Sequence, residues 1–234
     1  MAVRPVFTAV LDDRYCIKEN TEFQFFSGFA DSQKKKCIKS LHDAYAQRHP
    51  GCAVLEISSK SEEPLGVQLS AFNLMITTKS GRQFSVESAF QSSKVFENGG
   101  PYKDLLNAPS IAAKRDERLR DSGNVIGFTI NGQKFATEPK TYFYNWLYIN
   151  ALQLHPELAE QLLLYDAFTD IAFNPQRSIN CQAEAAAIYV SLQKQALLEK
   201  ALKSKEAFLE VVYPRHKAAK AGTDEIQQSS LFDL

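Results

Sequence analysis

Three side chains able to do chemistry fall within one short stretch, Glu87, Gln91 and Lys94 in FSVESAFQSSKVF. On a helix their i, i+4 and i+7 spacing stacks them along one stripe, beside a packing face of Val86, Ala89, Phe90 and Ser93. A carboxylate there can activate water or stabilise a developing cation. An amine can bind a phosphate, give up a proton, or attack as a nucleophile once burial lowers its pKa. A solvated helix face has the same periodicity, so spacing alone does not decide between a site and a surface.

The framework around that stripe is legible in outline. Strands are predicted over residues 3–11, 22–26, 53–57, 67–78, 82–86 and 124–130, with turns at Lys79-Ser80-Gly81 and Asn131-Gly132. Helices are predicted from Asp31 or Ser32, either of which is a capping residue, to His49-Pro50-Gly51, and over 86–96, 110–119, 139–154, 156–165 and 181–200. Strands interspersed with helices, without regular strand-helix-strand repeats, indicate an α+β fold.

The chain has 234 residues, 44% hydrophobic and 23% charged, which excludes disorder throughout, collagen and coiled coil. One compact domain is expected over 1–213, followed by a flexible tail over 214–234 whose composition lacks apolar periodicity. Lys plus Arg and Asp plus Glu both number 27, so nucleic-acid binding has to come from local patches. No apolar run approaches the roughly 18 to 20 residues that span a bilayer. The N-terminus, MAVRPVFTAVLDDR, turns acidic too early for a secretory signal, so a cytoplasmic protein without a membrane partner is expected. Cys16, Cys37, Cys52 and Cys181 form no CxxC pair, and His42, His49, His155 and His216 lack ligand spacing. No metal, disulfide frame or cofactor is therefore expected.

The segment Leu69-Ser70-Ala71-Phe72, a hairpin, and then Gly81-x-x-Phe84-Ser85-Val86-Glu87-Ser88-Ala89-Phe90-Gln91-Ser92-Ser93-Lys94-Val95-Phe96 resembles the central motif of the NADAR (NAD- and ADP-ribose-associated) family. Glu87, Gln91 and Lys94 match its Glu-His-x-x-Gln-x-x-Lys helix, while Ser88 stands where His is common and Ala71 where Asn is common. Those departures, an early FFSGFADSQKKK and the block AFTDIAFNPQRSINCQAEAAA resemble the NADAR antitoxins encoded with DarT-type DNA ADP-ribosyltransferase toxins. The likeness runs over 3–212 and is strongest over 56–102, 138–146 and 166–184.

The resemblance implies a single NADAR-like domain, a small mixed sheet surrounded by helices. It also implies an enzyme that removes ADP-ribose from the exocyclic amino group of guanine in DNA, with a DarT-type toxin as its genetic partner and a candidate physical one. Breaking that N-glycosidic bond passes through an oxocarbenium-like state, which calls for a carboxylate near the anomeric carbon and a proton for the departing base. Glu87 is the candidate carboxylate; Lys94 and Lys60 are the candidate amines, with Lys60 more readily read as an exposed loop lysine.

For substrate contact the resemblance points to Gln91, Ser70, Phe72, Asn73, Trp146, Asp170 and Asn180, together with Gly99 and Gly100, whose backbone could approach a phosphate. A lone Trp flanked by tyrosines is also a core residue by type, and Asn98-Gly99-Gly100-Pro101 is also a helix stop. Basic clusters at Lys34, Lys35, Lys36 and Lys39, and at Lys114, Arg115, Arg118 and Arg120, are candidates for DNA phosphates.

Near the C-terminus, Gln228-Ser229-Ser230-Leu231-Phe232 resembles the Gln-x-x-Leu-Phe motif that docks bacterial DNA-processing proteins on the sliding clamp. An extended tether carrying two apolar anchors suits a preformed groove. Two other functions stay open on the sequence: hydrolysis of an N-glycosidic bond in a riboflavin-pathway intermediate, and binding of ADP-ribose or of the toxin without turnover.

Overall fold

The computed structural model describes residues 1–28, 30–176, 178 and 180–214. The clamp-like Gln228, Leu231 and Phe232, and the tail beyond Pro214, lie outside the described residues. In chain order the elements are β1 (Ala2–Ala9), β2 (Cys16–Phe23), α1 (Asp31–Arg48), β3 (Val54–Glu56), α2 (Pro64–Gln68), β4 (Met75–Thr77), β5 (Gln83–Ser85), α3 (Val86–Ser92) and β6 (Lys94–Phe96). A 3-10 turn (Lys103–Asn107) leads to α4 (Ser110–Arg115), α5 (Arg118–Asp121), β7 (Val125–Ile130), β8 (Gln133–Phe135) and α6 (Tyr142–Gln153). Then come α7 (Pro156–Leu162), β9 (Ala167–Thr169), α8 (Gln182–Lys194), α9 (Leu198–Leu202) and α10 (Lys205–Val212).

The class is α+β, as the sequence indicates, and the contacts gather into two compact units. Met1–Ser70 with His155–Glu199 forms one; Ala71–Leu154 with the described residues from Lys200 onward forms the other. Among the described residues no helix is long and apolar enough to cross a membrane.

The first unit is built on a mixed sheet in the order β2-β1-β9-β3. β1 and β2 pair antiparallel from Ala2 opposite Phe23 to Ala9 opposite Cys16, whereas β3 and β9 run parallel, with Leu55 opposite Phe168. Helix α1 presents Cys37, Ile38, Leu41 and Tyr45 on one face, which packs with Val6, Phe23, Ala167 and Ile171. That is the face its periodicity requires. Neither expected cap is used: the capping position is Ala30, Asp31 is the first helical residue, and its charge favours the helix start.

The second unit contains the β4-β5 hairpin and a three-stranded sheet, β6-β7-β8. Asn131 and Gly132 turn β7 into β8, both with positive φ (46° and 75°), the geometry that two-residue hairpins favour. Its core is aromatic. Phe128 stacks on Phe143 with centroids 4.6 Å apart, Phe90 stands edge-on to Tyr144 at 5.1 Å, and Trp146 meets Phe208 at 5.4 Å.

Several predicted elements differ from the structure: the 22–26 strand is β2 over Cys16–Phe23, the 110–119 helix is split into α4 and α5, and three more differ for local reasons. The 86–96 helix ends at Ser92 because Ser92 and Ser93 both turn their hydroxyls onto the Ala89 carbonyl (3.0 and 2.6 Å), and the chain then pairs with β7. The 67–78 segment is strand only over Met75–Thr77, since Pro64 starts a helical turn ahead of it. The 181–200 helix is broken at Ala196, which takes a left-handed φ of 56°, while Leu197 N–H caps the Leu192 carbonyl at 2.9 Å. Too short for a pattern search, β9 gave no signal of its own in the sequence.

Candidate functional site

Glu87 lies in the first turn of α3, whose start is fixed by Ser85. The Ser85 hydroxyl accepts from the Ser88 N–H at 3.0 Å, and the Glu87 N–H donates to the Ala71 carbonyl at 2.8 Å. Ser88, one of the two departures from the family pattern, donates its hydroxyl to the Ala108 carbonyl at 2.8 Å. Ser110 Oγ lies 2.9 Å from the Phe72 carbonyl oxygen and 2.7 Å from Ser85 Oγ. These serines tie together the starts of α3 and α4 and the Phe72 turn.

The Glu87 residue is only 5% exposed. Its Oε1 accepts from Gln91 Nε2 at 2.8 Å and faces Lys114 Nζ at 3.7 Å. Its Oε2 has no hydrogen-bond partner among the described residues. Gln91 is 6% exposed, and with its amide N–H committed to Glu87 its own oxygen is buried without a donor among the described residues. A buried acceptor left unmet costs about 1 to 3 kcal/mol.

Lys94 comes from β6, not from the helix as the i+7 spacing predicts. Its ammonium stands 4.8 Å from the centroid of the Phe90 ring. Burial lowers its pKa to about 8; the Glu87 carboxylate opposes that change and the Lys114 cation adds to it. Lys114 completes the group from α4, with its ammonium 5.0 Å from the centre of the Phe72 ring. Glu87, Gln91, Lys94, Lys114, Phe72 and Phe90 thus form one cluster in the second unit, holding a carboxylate, an amine of depressed basicity and an unmet acceptor.

The other expected site residues fall differently. Asn73 is exposed on the turn before β4. Trp146 is a core residue, buried against Phe208, although its indole N–H has no partner among the described residues. Gly99 and Gly100 are explained by their own chain. A Cβ on Gly99 would strike Tyr102 Oη, and one on Gly100, at φ 75°, would come 2.5 Å from the Lys94 carbonyl oxygen. They follow β6 and stop no helix.

In the first unit, Lys60 Nζ is paired with Asp31 at 2.8 Å. Ser70 Oγ is buried without a partner among the described residues. Asp170 accepts from the Ala172 and Phe173 N–H groups (3.0 and 3.2 Å) and from Gln182 Nε2 at 3.1 Å, and the Asn180 carbonyl accepts from Ser178 Oγ at 3.3 Å.

Of the basic candidates, Lys34 is half-buried, Lys35 lies 4.0 Å from Glu62, Lys36 stands over Phe26 at 5.9 Å, and Lys39 pairs with Asp43. Arg118 has its charge largely met. It forms a fork to Asp116 (2.8 and 2.9 Å) and another to Asp104 (3.2 and 2.6 Å), and it stacks 4.5 Å from the Tyr102 ring. Arg115 is exposed and makes no ion pair among the described residues.

Two residues escape the sequence. Lys114 reads there only as one member of a basic cluster, because its partner Glu87 is remote in the chain and no local spacing links them. Glu56 sits inside a predicted buried strand, the one available signal. Its carboxylate accepts from Thr169 Oγ1 at 2.6 Å and Ile171 N–H at 2.9 Å, and His42 Nε2 lies 2.8 Å from the same Thr169 hydroxyl. Burial raises the Glu56 pKa and lowers that of His42 to about 4. Since Thr169 spends its proton on Glu56, neutral His42 donates to it, and the network is closed upon itself.

A family model described as the DarT1-associated NADAR antitoxin matches residues 2–222. No curated protein matches the chain.

Proposed function

We propose a reaction for this chain, which belongs to the family of DarT1-associated NADAR antitoxins: it removes ADP-ribose from the exocyclic amino group of guanine in DNA, reversing the toxin's modification. The observation that carries the proposal is the contact set of Glu87, whose one tethered and one unpartnered oxygen stand with an amine of lowered pKa around the same carboxylate.

In this reaction Glu87 Oε2 faces the anomeric carbon and stabilises the positive charge that develops as the bond to guanine weakens. The donor that Gln91 Oε1 lacks is a hydroxyl of the substrate ribose. Phe72 supplies a flat apolar surface for a base, and Arg115, which makes no ion pair among the described residues, is available to a phosphate.

Two routes share this geometry. In the first, Glu87 takes a proton from water as the water oxygen bonds to the anomeric carbon, and as the bond to guanine breaks the Lys94 ammonium gives a proton to the departing nitrogen, which leaves as the free amino group. In the second, neutral Lys94 Nζ bonds to the anomeric carbon while the bond to guanine breaks, and its proton passes to the departing amino group. Opening of the ribose ring then gives an imine, which water hydrolyses to ADP-ribose and free lysine.

The test is incubation of the protein with an oligonucleotide carrying ADP-ribosylated guanine. Release of ADP-ribose and unmodified DNA in molar excess over protein is expected; stoichiometric retention of the intact adduct means a binding module instead. Borohydride added during turnover separates the routes, trapping a Lys94 adduct only in the second.

A further inference from the structure

Among the described residues, the side-chain contacts to the Glu87 carboxylate fall on one of its two oxygens. Gln91 Nε2 at 2.8 Å and Lys114 Nζ at 3.7 Å both address Oε1, from the next turn of α3 and from α4 respectively. Lys114 is held there from its other side by the Phe72 ring at 5.0 Å, and α4 is itself anchored by Ser110 beside the Phe72 carbonyl. The Lys94 ammonium, carried by β6, stands over the Phe90 ring at 4.8 Å and feels the Glu87 charge.

We infer that Lys114 is a positioning residue of this site: with Gln91 it fixes Oε1 of Glu87, turns Oε2 toward the substrate, and as the second cation beside the carboxylate governs the charge of Lys94. This rests on the reaction proposed above for the same site. The charged groups facing Lys94 are Glu87 from α3 and Lys114 from α4, and the paired strand β7 carries no titratable side chain. Removing the Lys114 charge therefore leaves Lys94 beside Glu87 alone and makes its ammonium harder to deprotonate.

The experiment compares the full chain with Lys114→Met and Lys114→Arg. Lys114 is more than half exposed, so both variants are expected to fold, and thermal melting checks this. Competitive labelling with acetic anhydride across pH, followed by mass spectrometry of the Lys94 peptide, reads the Lys94 charge without any substrate. The expected result is a midpoint about half a pH unit higher in Lys114→Met and restored in Lys114→Arg. On ADP-ribosylated guanine, kcat at pH 7 falls about tenfold in Lys114→Met, and the acidic limb of its pH profile moves by the same amount. An unmoved labelling midpoint in a folded Lys114→Met protein overturns the inference. A midpoint that moves in a protein inactive on ADP-ribosylated guanine supports the electrostatic role of Lys114 and overturns the reaction instead.

Discussion

Gln91 donates its side-chain amide to Glu87 Oε1 at 2.8 Å, one helical turn away, and thereby buries its own oxygen with no donor among the described residues. In the proposed reaction the glutamine orients the carboxylate and offers its unmet acceptor to the substrate. Gln91→Leu loses both effects. The expected outcome is an apparent KM about tenfold higher with a melting temperature within a few degrees of the parent, because one orphaned acceptor disappears as one hydrogen bond is lost. Steady-state kinetics alongside a thermal melt check it; an unchanged KM rejects the ligand-facing role.

Glu87→Gln keeps the shape of the side chain and removes its charge. Turnover is expected to drop by about 10² to 10⁴. Folding should persist, since the substitution keeps the side-chain shape and costs the favourable placement of an acid in the first turn of α3, about 0.3 to 1 kcal/mol, and an ion pair to the half-exposed Lys114, up to about 1 kcal/mol. Full turnover by this variant means that the carboxylate belongs elsewhere.

The depressed basicity of Lys94 sets a pH dependence. If its neutral amine is the nucleophile, kcat climbs through pH 7 to 8 and levels above about 8. If its ammonium supplies a proton, kcat declines over the same range. Borohydride trapping predicts the first, and Lys94→Ala abolishes both the trapped adduct and turnover. Stability has a definite sign as well. With the folded value near 8 and the ordinary lysine value 10.5, the unfolded chain holds more protons between those limits. The contribution of Lys94 to stability is therefore least below about 8 and rises with pH up to about 10.5. Melting of wild type and Lys94→Met from pH 7 to 10 measures the difference.

Gly100→Ala strains a backbone at φ 75° and drives a methyl group to 2.5 Å from the Lys94 carbonyl oxygen. A loss of about 2 kcal/mol or more in unfolding free energy is expected, along with reduced turnover because β6 carries Lys94. Chemical denaturation reads the first and kinetics the second. If the variant is as stable as the parent, the turn is not built as described.

For the tail, we propose that the last ten residues dock on the sliding clamp through Gln228, Leu231 and Phe232. A fluorescent peptide of that length is expected to bind the clamp with micromolar affinity, typical of a short apolar-anchored segment that orders on binding. Leu231→Ala together with Phe232→Ala should abolish it; equal binding by the double variant removes the proposal.

Local sequence determined a good deal. The amphipathic face of α1, the entry of α7 at Pro156, the Asn131-Gly132 hairpin and the α+β class all follow from periodicity and turn chemistry, which act between near neighbours. The types of the reacting groups, Glu87, Gln91 and Lys94, were also legible, since a motif is a property of the chain. What the tertiary structure decided is how those groups meet. Ser92 and Ser93 end the helix, and pairing with β7 carries Lys94 out of the predicted stripe, so the acid and the amine come from a helix and a strand. Lys114 joins them because α4 folds back beside Phe72, and Glu56 is tolerated in a buried strand because Ser58, Thr169 and the Ile171 N–H all hydrogen-bond its carboxylate. Strand pairing and charge proximity depend on distance in space, and a window moved along the sequence does not measure it.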